Sequence, residues 1–250
     1  MSGHSKWATI KRKKAKTDAE RGKMFTKVIK EITIAARDGG GDPEGNPRLR
    51  TAVLAAKAVN MPAANIDRAI KKGTGELPGV SYEEVTYEGY GAHGVAVMVD
   101  CLTDNRNRTT AEIRHLFSKF GGNLAADGAV SWVFARKGQI LVSKSGVTEE
   151  QLMEIALEAG AEDIRTDDPE QYEILTEASE LHTVLKELEA KGVKPETGEL
   201  VRVASNTVEL GEKEAEGVLK LIDQLEDNDD VTKVWANFEI PEEMVERLRG

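Results

Sequence analysis

Cysteine is almost absent from this chain. Cys101 is the only one in 250 residues, so no intramolecular disulfide can form, and a reducing cytosol suits such a protein. No apolar run approaches the ~20 residues that span a bilayer. The N-terminus lacks the apolar stretch of a secretory signal, so a cytoplasmic protein with no membrane partner is expected. Histidine is scarce as well. His4, His93, His115 and His182 fall in an arm, a loop and two helices without a metal-ligand spacing. The sequence has no nucleophile elbow and no P-loop, and the glycine-rich Gly89-Tyr-Gly-Ala-His-Gly94 joins two strands rather than the strand and helix of a dinucleotide fingerprint. With 44 carboxylates in the chain, the spacing of acid pairs identifies no general acid. These absences argue against an enzyme, and neither a cofactor nor a metal is expected.

Charge is abundant and segregated. Residues 1–75 carry 17 basic and 7 acidic side chains, a net of +10, whereas residues 76–250 carry 17 and 37, a net of −20. The asymmetry is sharpest in the first thirty residues, with ten Lys or Arg against Asp18 and Glu20. A basic end on an acidic body should attract a polyanion locally, in a salt-dependent way, while the body repels it.

Residues 1–16 have no steady apolar period, and Trp7 and Ile10 are the only large apolar side chains in the basic run. An arm that stays mobile until it meets a partner is expected. Lys6, Lys11, Arg12, Lys13, Lys14 and Lys16, with the aromatic Trp7, suit a nucleic-acid contact. The plainer alternative is a solvated tail. Thr17 to Glu20 fits a capping box. Phe25, Val28, Ile29, Ile32, Ala35 and Ala36 then recur at helical steps, with Arg21, Lys23, Lys27 and Lys30 largely off that stripe. Gly39-Gly40-Gly41 should end this helix, and Asn46-Pro47 should cap and open a second. A third follows Met61-Pro62 and carries Asn65, Arg68, Lys71 and Lys72, without enough of a turn before it to make a helix-turn-helix.

Beyond Leu77-Pro-Gly79 the pattern changes to strands near 85–90 and 94–102, a helix over about 105–120, and a third strand through Val130, Trp132 and Phe134. Residues 137–204 then read as β-α-β-β-α-β, the split βαβ plan. A helix from Gly211 to Leu225 and a strand from Asp230 to Phe238 have no sheet of their own. They complete the earlier unit if residues 137–204 are an insertion. The expected fold is therefore α+β, with three domains. A basic arm and small three-helix domain occupies 1–78. A split α/β domain takes 79–136 and 205–250, and an inserted ferredoxin-like α/β domain takes 137–204.

Inside the body, one loop attracts attention. Thr103 to Thr110 surrounds a helix start, with Asp104 as its expected cap and Arg106 and Arg108 beside the positive helix end. That placement is unfavourable unless an anion joins them. Phosphate contact and arginines paired with the acidic surface are the two readings. Gly89 to Gly94 reads as a hairpin loop, Cys101 as a core residue, and Glu226 to Asp230 as a solvated turn rather than a calcium loop.

An ordered series of motifs resembles the YebC/PmpR family, whose relatives include the mitochondrial translational activator of cytochrome c oxidase. It begins at Gly3-His-Ser-Lys-Trp7 and runs through Arg21-Gly-Lys23, Asn60-Met-Pro62 and Arg68-Ala-Ile-Lys71. Tyr87-Glu-Gly-Tyr90, Leu102-Thr-Asp-Asn105 and Gly121-Gly-Asn123 follow, and Leu225 to Val231 closes it. The chain departs from the family pattern at Ala125 and Ala129. The resemblance implies three domains, the third inserted into the second, and a DNA-binding transcriptional regulator. For other members it implies a ribosome-associated factor that binds ribosomal RNA and relieves stalling in translation. It also maps His4, Lys6, Trp7, Lys11, Arg21 and Lys23 as contacts. Charge alone does not separate promoter DNA, ribosomal RNA and a protein on which a basic arm docks. A monomer is expected.

Overall fold

A computed structural model describes residues 18–241, 243 and 244. The arm of residues 1–16, with its expected mobility, and the expected Thr17 cap of the first helix lie outside the described residues, as does most of the expected helix after Pro241.

Three helices open the described chain: α1 (Asp18–Gly39), α2 (Pro47–Ala58) and α3 (Ala63–Gly73). The apolar stripe of α1 buries Ile32, Ala35 and Ala36 against Leu49, Ala52 and Ala56 of α2 and against Ile66 and Ala69 of α3. A fully buried Ile or Leu stabilises such a core by roughly 1.5–3 kcal/mol. The helix ends are set locally. Gly40 takes φ +86 just past α1, a conformation glycine adopts without a Cβ clash. Asn46 caps α2 by accepting from the Leu49 N–H at 3.1 Å. Its amide donates to the Ala35 and Gly40 carbonyls at 2.7 and 2.9 Å. One buried side chain therefore starts α2 and ties it to the end of α1.

From here the described residues divide into two compact units. Phe134–Ser205 forms one, interrupting the other, which holds everything else described. The larger unit contains β1 (Glu83–Tyr90), β2 (Ala96–Thr103), α4 (Arg106–Lys119), β3 (Asn123–Leu124), and, after the interruption, β8 (Val208–Glu209), α7 (Glu212–Asp227), β9 (Val231–Ala236) and β10 (Phe238–Glu239). Its main sheet runs β3-β1-β2-β9, all neighbours antiparallel. Val97, Val99 and Cys101 of β2 share one buried cluster with Ile113 and Phe117 of α4 and with Val218 and Ile222 of α7. Burial pushes the Cys101 thiol up to about 12, the behaviour of a core cysteine rather than a nucleophile.

The third strand of this sheet is not the segment expected. Residues 131–133 form a single 3₁₀ turn, Phe134 opens the next unit, and the edge place is taken by the two-residue β3. The alternation Val130, Trp132, Phe134 imitates a strand, yet Val130 is buried and Trp132 is 69% exposed. What shapes the turn is the buried Glu88, whose carboxylate accepts the N–H groups of Gly128, Val130 and Ser131 at 2.9, 2.7 and 2.9 Å. Its burial would raise the carboxyl, but these three bonds outweigh it and hold the pKa below the usual range.

The interrupting unit contains β4 (Phe134–Ser143), α5 (Glu149–Glu158), β5 (Ala161–Arg165), β6 (Gln171–Glu177), α6 (Leu181–Ala190) and β7 (Thr197–Ala204). Its strand order β5-β6-β4-β7 is that of a split βαβ, ferredoxin-like sheet. Thr148 starts α5 with a capping box to Gln151. Ile140, Val142 and Ile174 of the strands pack on Leu152 and Ala156 of α5 and on Leu181, Val184 and Leu188 of α6.

Candidate nucleic-acid interface

The basic side chains of the larger unit fall into two groups. One group is free. On α3, Ile66 and Ala69 face the core, and Gly73 lies so close to α1 that an added Cβ would stand 2.3 Å from the Thr33 carbonyl oxygen. That close approach fixes the rotation of α3 about its axis. Arg68, Lys71 and Lys72, three and four residues apart on the helix, therefore line one outward face. All three are exposed, and none has an ion-pair or side-chain hydrogen-bond partner among the described residues. Arg106, the first residue of α4, is likewise exposed and unpaired among the described residues.

The second group is engaged. Lys23, Lys27 and Lys30 recur on one face of α1 and meet the end of α7 and the turn after it. Lys23 pairs with Asp227 at 3.2 Å, and Lys27 donates to the Glu226 carbonyl. Lys30, only 7% exposed, donates to Asp230 Oδ1 and the Asp229 carbonyl at 2.8 Å each and to the Leu102 carbonyl at 3.3 Å. All three of its ammonium protons have acceptors. Asp230 also accepts from Arg108 at 2.6 Å, Thr109 at 2.7 Å and Thr103 at 3.2 Å. Burial would raise its carboxyl, but these charge-assisted bonds prevail and hold it at about 2. Asp230 is 4% exposed, so the expected solvated turn has a buried carboxylate at its end. The reason is long-range: the partners come from α1, β2 and α4.

The start of α4 also differs from expectation in its cap. Asn105 accepts the Arg108 N–H at 3.1 Å, and the Asn105 N–H is taken by Thr103 Oγ1 at 2.9 Å. Asp104 is left to face the Arg108 guanidinium at 2.9 Å. Arg108 thus lies between Asp230 and Asp104, first of all against Asp230, and its charged form is strengthened there. Of the two readings of this loop, pairing with acidic neighbours describes the contacts Arg108 makes, while Arg106 stands open. An open cleft of about 580 Å³ borders the cluster, lined by Lys23, Tyr82, Arg108, Glu112 and the 227–230 turn among others. Among the described residues no group of three or more His, Cys, Asp or Glu is placed to hold a metal ion.

Of the other expected contacts, His4, Lys6, Trp7, Lys11, Arg12, Lys13, Lys14 and Lys16 lie outside the described residues. Arg21 falls within α1, and its side chain is not described. The residues sequence reasoning missed are Lys30 and Asp230. The signal was present as three lysines in helical register and four acids within five residues, but nothing in the sequence joins the two.

Family models match both parts of this architecture. The TACO1/YebC protein N-terminal domain matches residues 5–76, and the TACO1/YebC second and third domain matches residues 82–238. The chain belongs to the TACO1/YebC family. A relative from Persephonella marina is 60% identical over 99% of this chain and its own full length, and one from Sulfurihydrogenibium sp. is 61% identical over the full length of both. Each is named a probable transcriptional regulatory protein. A crystal structure of a conserved hypothetical protein from Aquifex aeolicus is similar at a TM-score of 0.84 and 54% identity, covering 92% of this chain and 94% of that one. No described helix is long and apolar enough to cross a membrane.

Proposed function

We propose that this member of the TACO1/YebC family is a cytoplasmic, non-catalytic regulator that binds nucleic acid through phosphates. Its N-terminal arm and the outer face of α3 supply the positive charge. DNA near the genes it regulates is the proposed target. The observation that carries the reading is the unpaired stripe Arg68, Lys71 and Lys72, exposed on a domain whose other cations are largely occupied. Three neighbouring cations without carboxylate partners make a local positive patch on an acidic protein, and such a patch attracts a polyanion. The relatives' names support a regulatory role.

Replacing Arg68, Lys71 and Lys72 with Gln should weaken binding to a labelled DNA duplex at least roughly ten-fold and lower the salt slope by about three. The melting temperature should stay near that of the wild type, because exposed substitutions change little. Unchanged affinity would remove α3 from the interface. A stronger effect on a structured ribosomal RNA fragment than on duplex DNA would move the target to the ribosome.

A further inference from the structure

We propose that the acidic end of α7, with the turn after it, is an internal stand-in for a phosphate backbone, and that bound nucleic acid displaces it from Lys23 and Lys27 while Lys30 stays seated. The inference rests on the functional reading above and extends it to a contact that restrains binding.

The turn is built against its own electrostatics. The C-terminus of α7 is the negative end of a helix dipole, where carboxylates are disfavoured. Its last turn nonetheless holds Glu226 and Asp227 and no basic residue, and Asp229 and Asp230 follow at once. The last carbonyls of the helix, which lack intrahelical N–H partners, add to the same negative spot. The ammonium groups that answer it come from α1, at positions 23, 27 and 30. A run of carboxylates and carbonyl oxygens set against a lysine ladder is the arrangement a phosphate strand would make there.

The three contacts are graded in exchangeability. Lys30 is buried with every proton bonded, and pulling it out would leave a buried charge without a partner. Lys27 is half-buried and donates to the Glu226 carbonyl. Lys23 and Asp227 have side chains 45% and 58% exposed, so their pair is screened by salt and contributes little to the fold. A phosphate oxygen offers Lys23 and Lys27 the same charge-assisted bond with a full negative charge. Lys30 then acts as the pivot and the other two as sites that change partner. In the free protein they are withheld from weak anions, and only a polyanion long enough to engage α3 or the arm as well competes for them.

The test is fluorescence anisotropy with a labelled 30-base-pair DNA duplex and a labelled RNA stem-loop over a range of salt. Asp227→Asn should tighten binding roughly three-fold or more and steepen the salt slope by about one counterion. Glu216→Gln makes the same charge change on the exposed side of α7 and should do neither. Adding Lys23→Gln to Asp227→Asn should erase the gain. Wild-type binding with Asp227→Asn indistinguishable from Glu216→Gln overturns this inference alone. No binding of either probe by the wild type at low salt overturns the functional reading, and the inference with it.

Discussion

Asp230 takes hydrogen bonds from Lys30, Arg108, Thr103 and Thr109 while only 4% exposed. Its charge is therefore answered at every side, and so is that of the buried Lys30. Asp230→Asn would turn an amide N–H₂ towards two cations and leave Lys30 buried without a counterion. Breaking one side of such a pair costs on the order of 3–5 kcal/mol, and a loss near about 3 kcal/mol is expected in urea denaturation at pH 7. The pH dependence follows from the depressed carboxyl, about 2 in the folded chain against 3.8 ordinarily. A group whose folded pKa is lowered contributes stability that is present above its unfolded value and is lost as pH falls through the folded one. The wild type should therefore lose roughly 2 kcal/mol from this group between about pH 4 and pH 2. The Asn variant should lack that component. Parallel stability curves for the two proteins over this range would show that the carboxylate is not the hub.

At the scale of elements, α1 and α3 touch through a glycine. A Cβ on Gly73 would meet the Thr33 carbonyl at 2.3 Å and Ala36 Cβ at 2.8 Å. Both neighbours belong to a packed helix, so the helices must separate. Gly73→Ala should destabilise the helical part by about 1–3 kcal/mol, read as loss of amide-exchange protection in α1 to α3. Unaltered protection in these helices would show that the contact yields without cost. Helix boundaries such as those at Asn46, Thr148 and Gly40 were legible because caps are local chemistry within four residues. The placing of Arg68, Lys71 and Lys72 on the third helix was legible too, while the core contacts that turn them outward were not. The turn at residues 128–133 was not, because a carboxylate 40 positions back shapes it and periodicity cannot see a side-chain acceptor so distant. The partners of Lys23 and Arg108 were hidden for the same reason, lying 204 and 122 residues away. Charge composition made Lys23 look available and left Arg108 between two readings, and three-dimensional pairing engaged both.

Over the whole molecule, the segregation of charge and the interruption at residues 134–205 are connected. The first and last strands of that unit are antiparallel neighbours, and Phe134 pairs with Ala204 across the ladder. Chain entry and exit therefore stand about 5 Å apart, so the rest of the chain needs only a short bridge to close without it. The unit holds its own core, from Ile140 and Ile174 to Leu152 and Leu188. It also holds 8 basic and 16 acidic side chains, a net of −8, against −10 for the entire chain. Replacing residues 134–205 with a few Gly and Ser residues should leave a soluble protein with a cooperative melt. The excised segment should fold alone into its four-stranded sheet. The remainder would keep every cation of α1 and α3 at a net charge of −2, so its affinity for a polyanion should be retained and should rise at low salt, where repulsion reaches furthest. An aggregated remainder, or a segment without cooperative unfolding, would show that the two units depend on each other to fold. Affinity that collapsed in a folded remainder would place part of the nucleic-acid contact on the interrupting unit, in spite of its acidity.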